Sequence, residues 1–184
     1  MAGQKDYEAL FQEMHPGFFE KGYIRSMNEE WICEEMILRL DEFDPNAYQK
    51  TFNSNITFGI FQGSMNELHT AVGQVVPEWL KLFNEKSRVY CGFADGKIAS
   101  FCMIENMGEH LLDGCKVKIG GPGCVGTVPE YRNRGIGLVM VRDVTRILKE
   151  EKYDFSYIHY TGVAPWYRKL GYRTVLRWNK HGFL

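Results

Sequence analysis

The strongest periodic signal in the chain is helical. Across 136–151, Ile136, Met140, Val144, Ile147 and Leu148 fall on one face, and Glu150, Glu151 and Lys152 lead into solvent. A second helical run spans 67–86, where Leu68, Val72, Val75, Trp79 and Phe83 recur at spacings of three and four. Pro77 interrupts it, which predicts two helices or a kink. Between these runs the pattern turns strand-like. Residues 88–93 and 97–104 form a hairpin signal joined across Asp95-Gly96. Glycine-rich 108–114 reads as a loop, with strand character again at 116–119 and 124–128. A strand at 155–160, a short helix at 164–170 and a strand at 172–178 close the chain. The first half is less regular. It offers a helix at 6–14, a strand at 36–40 and a helix start at Asp44-Pro45. Strands alternating with helices predict an α/β or α+β sandwich with some parallel pairing.

Composition narrows the class without naming a function. The 184 residues are 45% apolar and 24% charged, enough apolar surface for a large core and too much for a disordered chain. The length suits one domain, divided here into 1–87 and 88–184 by the change in pattern. A net charge of -1 argues against a protein that grips nucleic acid by charge. The five cysteines have no CxxC spacing, so no metal site is predicted and reduced thiols are the expectation. The first ten residues lack an apolar targeting segment, and no apolar run reaches membrane length; a cytoplasmic protein is expected.

Two glycine clusters compete as binding loops. Gly121-Pro122-Gly123-Cys124-Val125-Gly126 is a literal GxGxxG. A dinucleotide loop needs a helix opening on it, and Pro129 after β-favouring Thr127-Val128 prevents that. Arg132-Asn133-Arg134-Gly135-Ile136-Gly137 instead lies between a strand and the best helix. Its glycines allow a ligand to approach the backbone, and the helix's first N–H groups and dipole favour an anion. Arg132 and Arg134 cost ~0.3–1 kcal/mol each at a helix N-terminus, a cost that a bound pyrophosphate reverses.

Val125 to Gly137, with Pro129, Arg132, Gly135 and Gly137 filling a strand–Pro-x-x-Arg-x-x-Gly-x-Gly–helix pattern, resembles the acetyl-CoA motif of the GNAT superfamily of N-acetyltransferases. Ala164-Pro165-Trp166-Tyr167-Arg168-Lys169-Leu170-Gly171-Tyr172 resembles the family's second signature, and the resemblance covers about 88–178. It implies a mixed, mostly antiparallel sheet flanked by helices, with a splayed strand pair admitting acetyl-CoA. The pantetheine would pair with Val125 and Thr127, beside Gly126. The pyrophosphate would lie on Asn133, Arg134, Gly135, Ile136 and Gly137, near Arg132. Thr161, where the family often has Asn, and Tyr167 complete the implied contacts.

The implied reaction moves an acetyl group to an amine, small molecule or peptide, by direct attack, in a monomer or homodimer. Tyr167 holds the family's general-acid position. Its ordinary pKa of ~10 makes full proton transfer to a thiolate of ~8.5 uphill by ~2 kcal/mol. Glu105 and His159 are the base candidates, one just after a strand and one beside the cofactor gap. Acceptor contacts are expected from 51–74 and from 106–114, which carries His110 and Asp113. The family usually has two strands after the tyrosine helix and this sequence has room for one. The other is expected from the N-terminal half or from a partner chain. A non-catalytic CoA-binding module is the alternative reading.

Overall fold

A computed structural model describes residues 2–52 and 55–184. Eight strands form one sheet: β1 (Cys33–Arg39), β2 (Ile56–Ile60), β3 (Val89–Ala94), β4 (Lys97–Leu112), β5 (Cys115–Thr127), β6 (Phe155–Thr161), β7 (Arg173–Asn179) and β8 (Gly182–Phe183). Their order across the sheet is β2-β3-β4-β5-β6-β1-β7-β8. Every neighbouring pair is antiparallel except β5 and β6. The helices are α1 (Gln4–Met14), α2 (Gly22–Arg25), α3 (Met65–Gly73), α4 (Ile136–Glu150) and α5 (Ala164–Arg168). A 3-10 segment, Pro77–Leu82, follows α3, so Pro77 divides the second helical run into two pieces.

Two strands follow α5, β7 and the two-residue β8, where the sequence suggested room for one, and the N-terminal half adds a further strand, β1, to this part of the sheet. β1 lies between β6 and β7, antiparallel to both, with Ile37 opposite Tyr157 on one side and Arg173 on the other. Successive β1 residues are buried on opposite faces. Met36 and Leu38 pack with Leu138, Met140 and Val144 of α4, and Ile37 packs with Phe11 of α1 and Trp178 of β7. A central strand covered on both sides reads as a continuous apolar run, as Met36-Ile37-Leu38 does. The face opposite α4 is covered by α1 and α2 over β6, β1 and β7, and by α3 over β3 and β4.

Several elements differ from the sequence expectation, and β2 is not among those expected. Residues 106–112 continue β4 as a strand, and β5 runs unbroken through Gly120–Gly123. The glycines there mark a bulge and a turn. Gly108 has φ +93° where the β4–β5 register shifts, and Asp113 and Gly114, both at positive φ, make the tight hairpin turn. The GxGxxG therefore lies within a strand, with no helix to cradle a phosphate. Asp44-Pro45 starts a turn instead of a helix, because the Asp44 carboxylate accepts from the Asn46 N–H. The chain then lies along α4, where Lys149 donates to the Phe43 carbonyl and Arg142 to the Tyr48 carbonyl.

Candidate active site

A splay in the sheet creates the cleft. The parallel β5–β6 ladder contains only Ile119 opposite Phe155 and Gly120 opposite Ser156. At the next residue the strands still touch: a Cβ on Gly121 would lie 2.0 Å from the Tyr157 carbonyl oxygen. Beyond that point they part. On the other side of β5, a bulge sets Cys124 and Val125 opposite Cys102 alone, with Cys124 at φ +48°. A cleft of about 590 Å3 follows, lined by Val125, Gly126, Thr127, Arg132, Asn133, Gly135, Ile136, Gly137 and Tyr167 among others. Two predicted contacts lie outside this lining. Arg134 turns back to the Glu130 carbonyl and the Tyr131 ring. The Thr161 hydroxyl is buried and accepts from the Val163 N–H.

The end of α4 facing the cleft suits an anion. Gly135 caps it at φ +83°, with no side-chain cap on the first N–H groups. A Cβ on Gly137 would come within 2.6 Å of the Thr127 hydroxyl, so the close approach of α4 to β5 depends on glycine. Arg132 donates to the Thr127 carbonyl at 3.1 Å, tying the loop to the strand end. Tyr48, Lys50 and Lys169 also border the cleft. The first two come from the loop strapped to α4, and their polar surroundings in sequence carry no periodic signal. From the stretch 51–74 no described residue lines the cleft (Val75 follows just after), and residues 53 and 54 lie outside the described residues. The other expected acceptor segment divides: Met107 stands beside Gly121 on the back face, and Leu112 and Asp113 line a separate cavity with Arg39 and Arg173.

Tyr167 is buried beneath the cleft against α4, and burial first, then Tyr172 and Cys102, pushes its hydroxyl far above the ordinary tyrosine range. It therefore stays protonated. The half-buried Cys124 thiol is pushed up to about 12 by burial and then by Glu105, which makes it a poor nucleophile.

Glu105 and His159 lie on the other face of the sheet, where Met103 and Met107 flank Glu105 along β4. The Glu105 carboxylate occupies the space a Gly123 side chain would fill, beside the bulge. Burial raises its pKa, and nearby His159 partly offsets the rise. His159 is more elaborately held. Its Nδ1 is 3.0 Å from Glu35 Oε2, and Glu35 Oε1 accepts from Trp178 Nε1 at 2.7 Å and from the Tyr160 N–H at 3.1 Å. The ring of His15 stacks on it at 3.9 Å between centroids. Nothing local in the sequence marks Glu35, because its donors lie far along the chain. Among the described residues no group of His, Cys, Asp and Glu is arranged to hold a metal ion, and no helix is long and apolar enough to cross a membrane.

His15 gives this cluster a pH signature. Burial, then His159 and Lys21, lowers its pKa from 6.5 to about 3. Between those values the unfolded chain binds the proton and the folded one resists it, so stability falls as pH drops through that window. His15→Phe keeps a stacking ring and removes the titration. Its melting temperature should therefore fall less than the wild type's between about pH 6.5 and pH 4, as thermal scans across that range will show. Equal losses in the two proteins would contradict this account.

The sequence model of the acetyltransferase (GNAT) domain family matches residues 54–175, and the chain belongs to that family. The family's chemistry is acyl transfer with acetyl-CoA as donor, and its members act on amine acceptors. Solved structures share the fold. A GCN5-related glucosamine N-acetyltransferase region of a fungal multi-domain GH3 β-N-acetylglucosaminidase is 20% identical with a TM-score of 0.67, over 95% of this chain and 22% of that one. A GCN5-related N-acetyltransferase from Sphaerobacter thermophilus is 22% identical with a TM-score of 0.58, over 79% of this chain and 49% of the other. One from Kribbella flavida is 15% identical with a TM-score of 0.55, over 89% and 62%. The chain thus spans less than two thirds of the length of each. No curated protein sequence matches.

Proposed function

We propose that the protein transfers the acetyl group of acetyl-CoA to an amine, by direct attack while both substrates are bound. The observation that carries this reading is the cleft itself: a parted strand pair, an uncapped α4 N-terminus with glycines at its contact points, and a protonated tyrosine beneath. Acetyl-CoA fits these residues. Gly135 to Gly137 and the α4 N–H groups suit the pyrophosphate, with Arg132, Lys50 and Lys169 as cations around it. The parted edge of β5 at Val125 and Thr127 suits the pantetheine amides. The acceptor approaches from the opposite face, which carries Glu105 and His159. Its neutral nitrogen attacks the thioester carbonyl, a C–N bond forms, the C–S bond breaks, and a proton leaves nitrogen for one of those two groups. Tyr167 donates a hydrogen bond to the departing sulfur. Its raised pKa makes full proton transfer more uphill than the ~2 kcal/mol of an ordinary tyrosine. The raised pKa of Cys124 disfavours a covalent acetyl-enzyme there.

Thermal unfolding with acetyl-CoA, with NAD as control, tests donor binding. A ligand at 100 times its dissociation constant adds ~2.7 kcal/mol, a rise of roughly 5–10 °C for a chain this long. Thiol release from acetyl-CoA then tests transfer to a panel of amines: glucosamine (the acceptor named for the fungal region), spermidine, tryptamine and a lysine peptide. With an accepted amine, Tyr167→Phe should lower turnover at least about tenfold with the acetyl-CoA shift unchanged, as expected when a leaving-group interaction is lost. Undiminished turnover would remove Tyr167 from the mechanism. A shift with NAD and none with acetyl-CoA would overturn the reading.

A further inference from the structure

The back-face cluster is organised beyond what packing requires. Glu35 is fully buried in a sheet centre, where an unpaired carboxylate is costly. Three donors converge on it: indole, main-chain amide and imidazole. The first two are on Oε1 and His159 is on Oε2, with the buried Tyr157 hydroxyl also beside the carboxylate. A carboxylate oxygen accepts, so Nδ1 of His159 carries a proton, and in the neutral ring the lone pair is on Nε2. Phe11 and Phe18 pack around the ring with centroids at 5.8 and 5.1 Å, and His15 covers one of its flat sides. The imidazole is thus fixed in orientation and in tautomer while its side chain keeps 26% exposure.

We infer that His159 is the base that takes the proton from the attacking amine, and that Glu35 is the residue that positions it. This rests on the acetyl-transfer reading of the cleft. His159 stands on β6 where that strand parts from β5, on the face opposite Tyr167. A proton lost from the acceptor nitrogen passes to Nε2 as the C–N bond forms, and the Nδ1–H to Glu35 bond persists and supports the imidazolium. Glu105 also faces His159 from β4, and His15, with Lys21 near it, faces it from the segment after α1. Glu105 has neither a hydrogen-bonding partner among the described side chains nor a fixed orientation comparable with that of the imidazole.

Glu35→Gln separates positioning from packing. The amide oxygen keeps the Trp178 and Tyr160 donors, so the amide NH2 turns to Nδ1, which must then accept. His159 is driven to the Nε2–H tautomer and loses its available lone pair. Imidazole 15N NMR on the full chain should show His159 protonated at Nδ1 in the wild type and at Nε2 in the variant. Amine-dependent thiol release should fall about a hundredfold, within the range for a lost acid–base group. The acetyl-CoA thermal shift should remain. His159→Gln should lose activity to a similar extent, and serves as the second variant should Glu35→Gln fold poorly. An Nε2–H tautomer in the wild type would overturn the inference. So would Glu35→Gln with the switched tautomer and full activity, or activity lost in Glu105→Gln and retained in His159→Gln. Absence of thiol release with every amine, in a protein that carries the Nδ1–H tautomer, would overturn acetyl transfer and this catalytic role with it, while the Glu35–His159 bond would stand.

Discussion

A chain beginning at residue 31 will not fold. Residues 1–30 carry Tyr7, Leu10, Phe11, Phe18, Ile24 and Met27, all buried, and together with Ile37, Tyr157, Leu176 and Trp178 they make the back-face core. Burying large apolar side chains contributes ~1.5–3 kcal/mol each, or about 9–18 kcal/mol for these six. Net stabilities of domains are ~5–15 kcal/mol, so the loss matches or exceeds the whole. The truncated chain would also leave the face of β1, β6 and β7 opposite α4 without a cover. The measurement is thermal or denaturant unfolding by circular dichroism. The full chain should show a cooperative transition and the truncated one should not. Phe11→Ala provides a graded version, at ~3–5 kcal/mol for a buried aromatic in contact with several others. A truncated chain with a cooperative transition and an acetyl-CoA response would show that the N-terminal layer is an accessory to the fold.

This dependence also explains which parts of the molecule can be read from sequence. The helix α4 is legible because its apolar positions repeat at helical period over four turns. The β3–β4 hairpin is legible because Asp95-Gly96 supplies two consecutive positive-φ residues. The strand at Met36-Ile37-Leu38 is legible as a strand, but its position between β6 and β7 is not. That position depends on pairing with residues more than a hundred positions away, and no local pattern encodes it. The long β4–β5 hairpin is misread at its tip because Gly108 and Gly114 look alike in sequence. One is a bulge within a strand and the other belongs to the turn.

The site divides in the same way. The residues brought around the cleft by consecutive positions, Val125 to Gly137, form one strand–turn–helix unit, so a local motif suffices to find them. Glu105 and His159 can be placed near the gap from their strands alone, yet neither the face they occupy nor the company they keep follows from those strands. Glu35 shows the limit. It reaches Trp178, 143 positions away, and Tyr160, 125 positions away, and only the insertion of β1 into the sheet brings these groups to one carboxylate. Tyr48 and Lys50 arrive at the cleft because Arg142 and Lys149 of α4 hold main-chain carbonyls of a loop that has no regular structure of its own.

Substitution of Gly137 by valine will abolish the response to acetyl-CoA while leaving a folded protein. The Cβ alone would stand 2.6 Å from the Thr127 hydroxyl and 3.4 Å from Trp166, and the two methyl groups would enter the space between α4 and β5. Propensity does not penalise the change, because glycine is among the poorest residues within a helix and valine is better. The expected result is a cooperative apo transition and loss of the roughly 5–10 °C rise produced by acetyl-CoA at 100 times its wild-type dissociation constant. Gly135→Ala should behave in the opposite sense. At φ +83° a side chain costs ~1–2 kcal/mol of backbone strain, and here the new Cβ would also press on the Tyr48 hydroxyl at 2.9 Å. Its apo melting temperature should fall by about 2–8 °C, because the strain lies in the cap of α4 whether or not ligand is present. Two glycines two residues apart then report different physics: one keeps the cleft open, and the other lets the chain turn into the helix that closes it. A Gly137→Val protein that still responds fully to acetyl-CoA would place the donor elsewhere and remove the central support for acetyl transfer at this cleft.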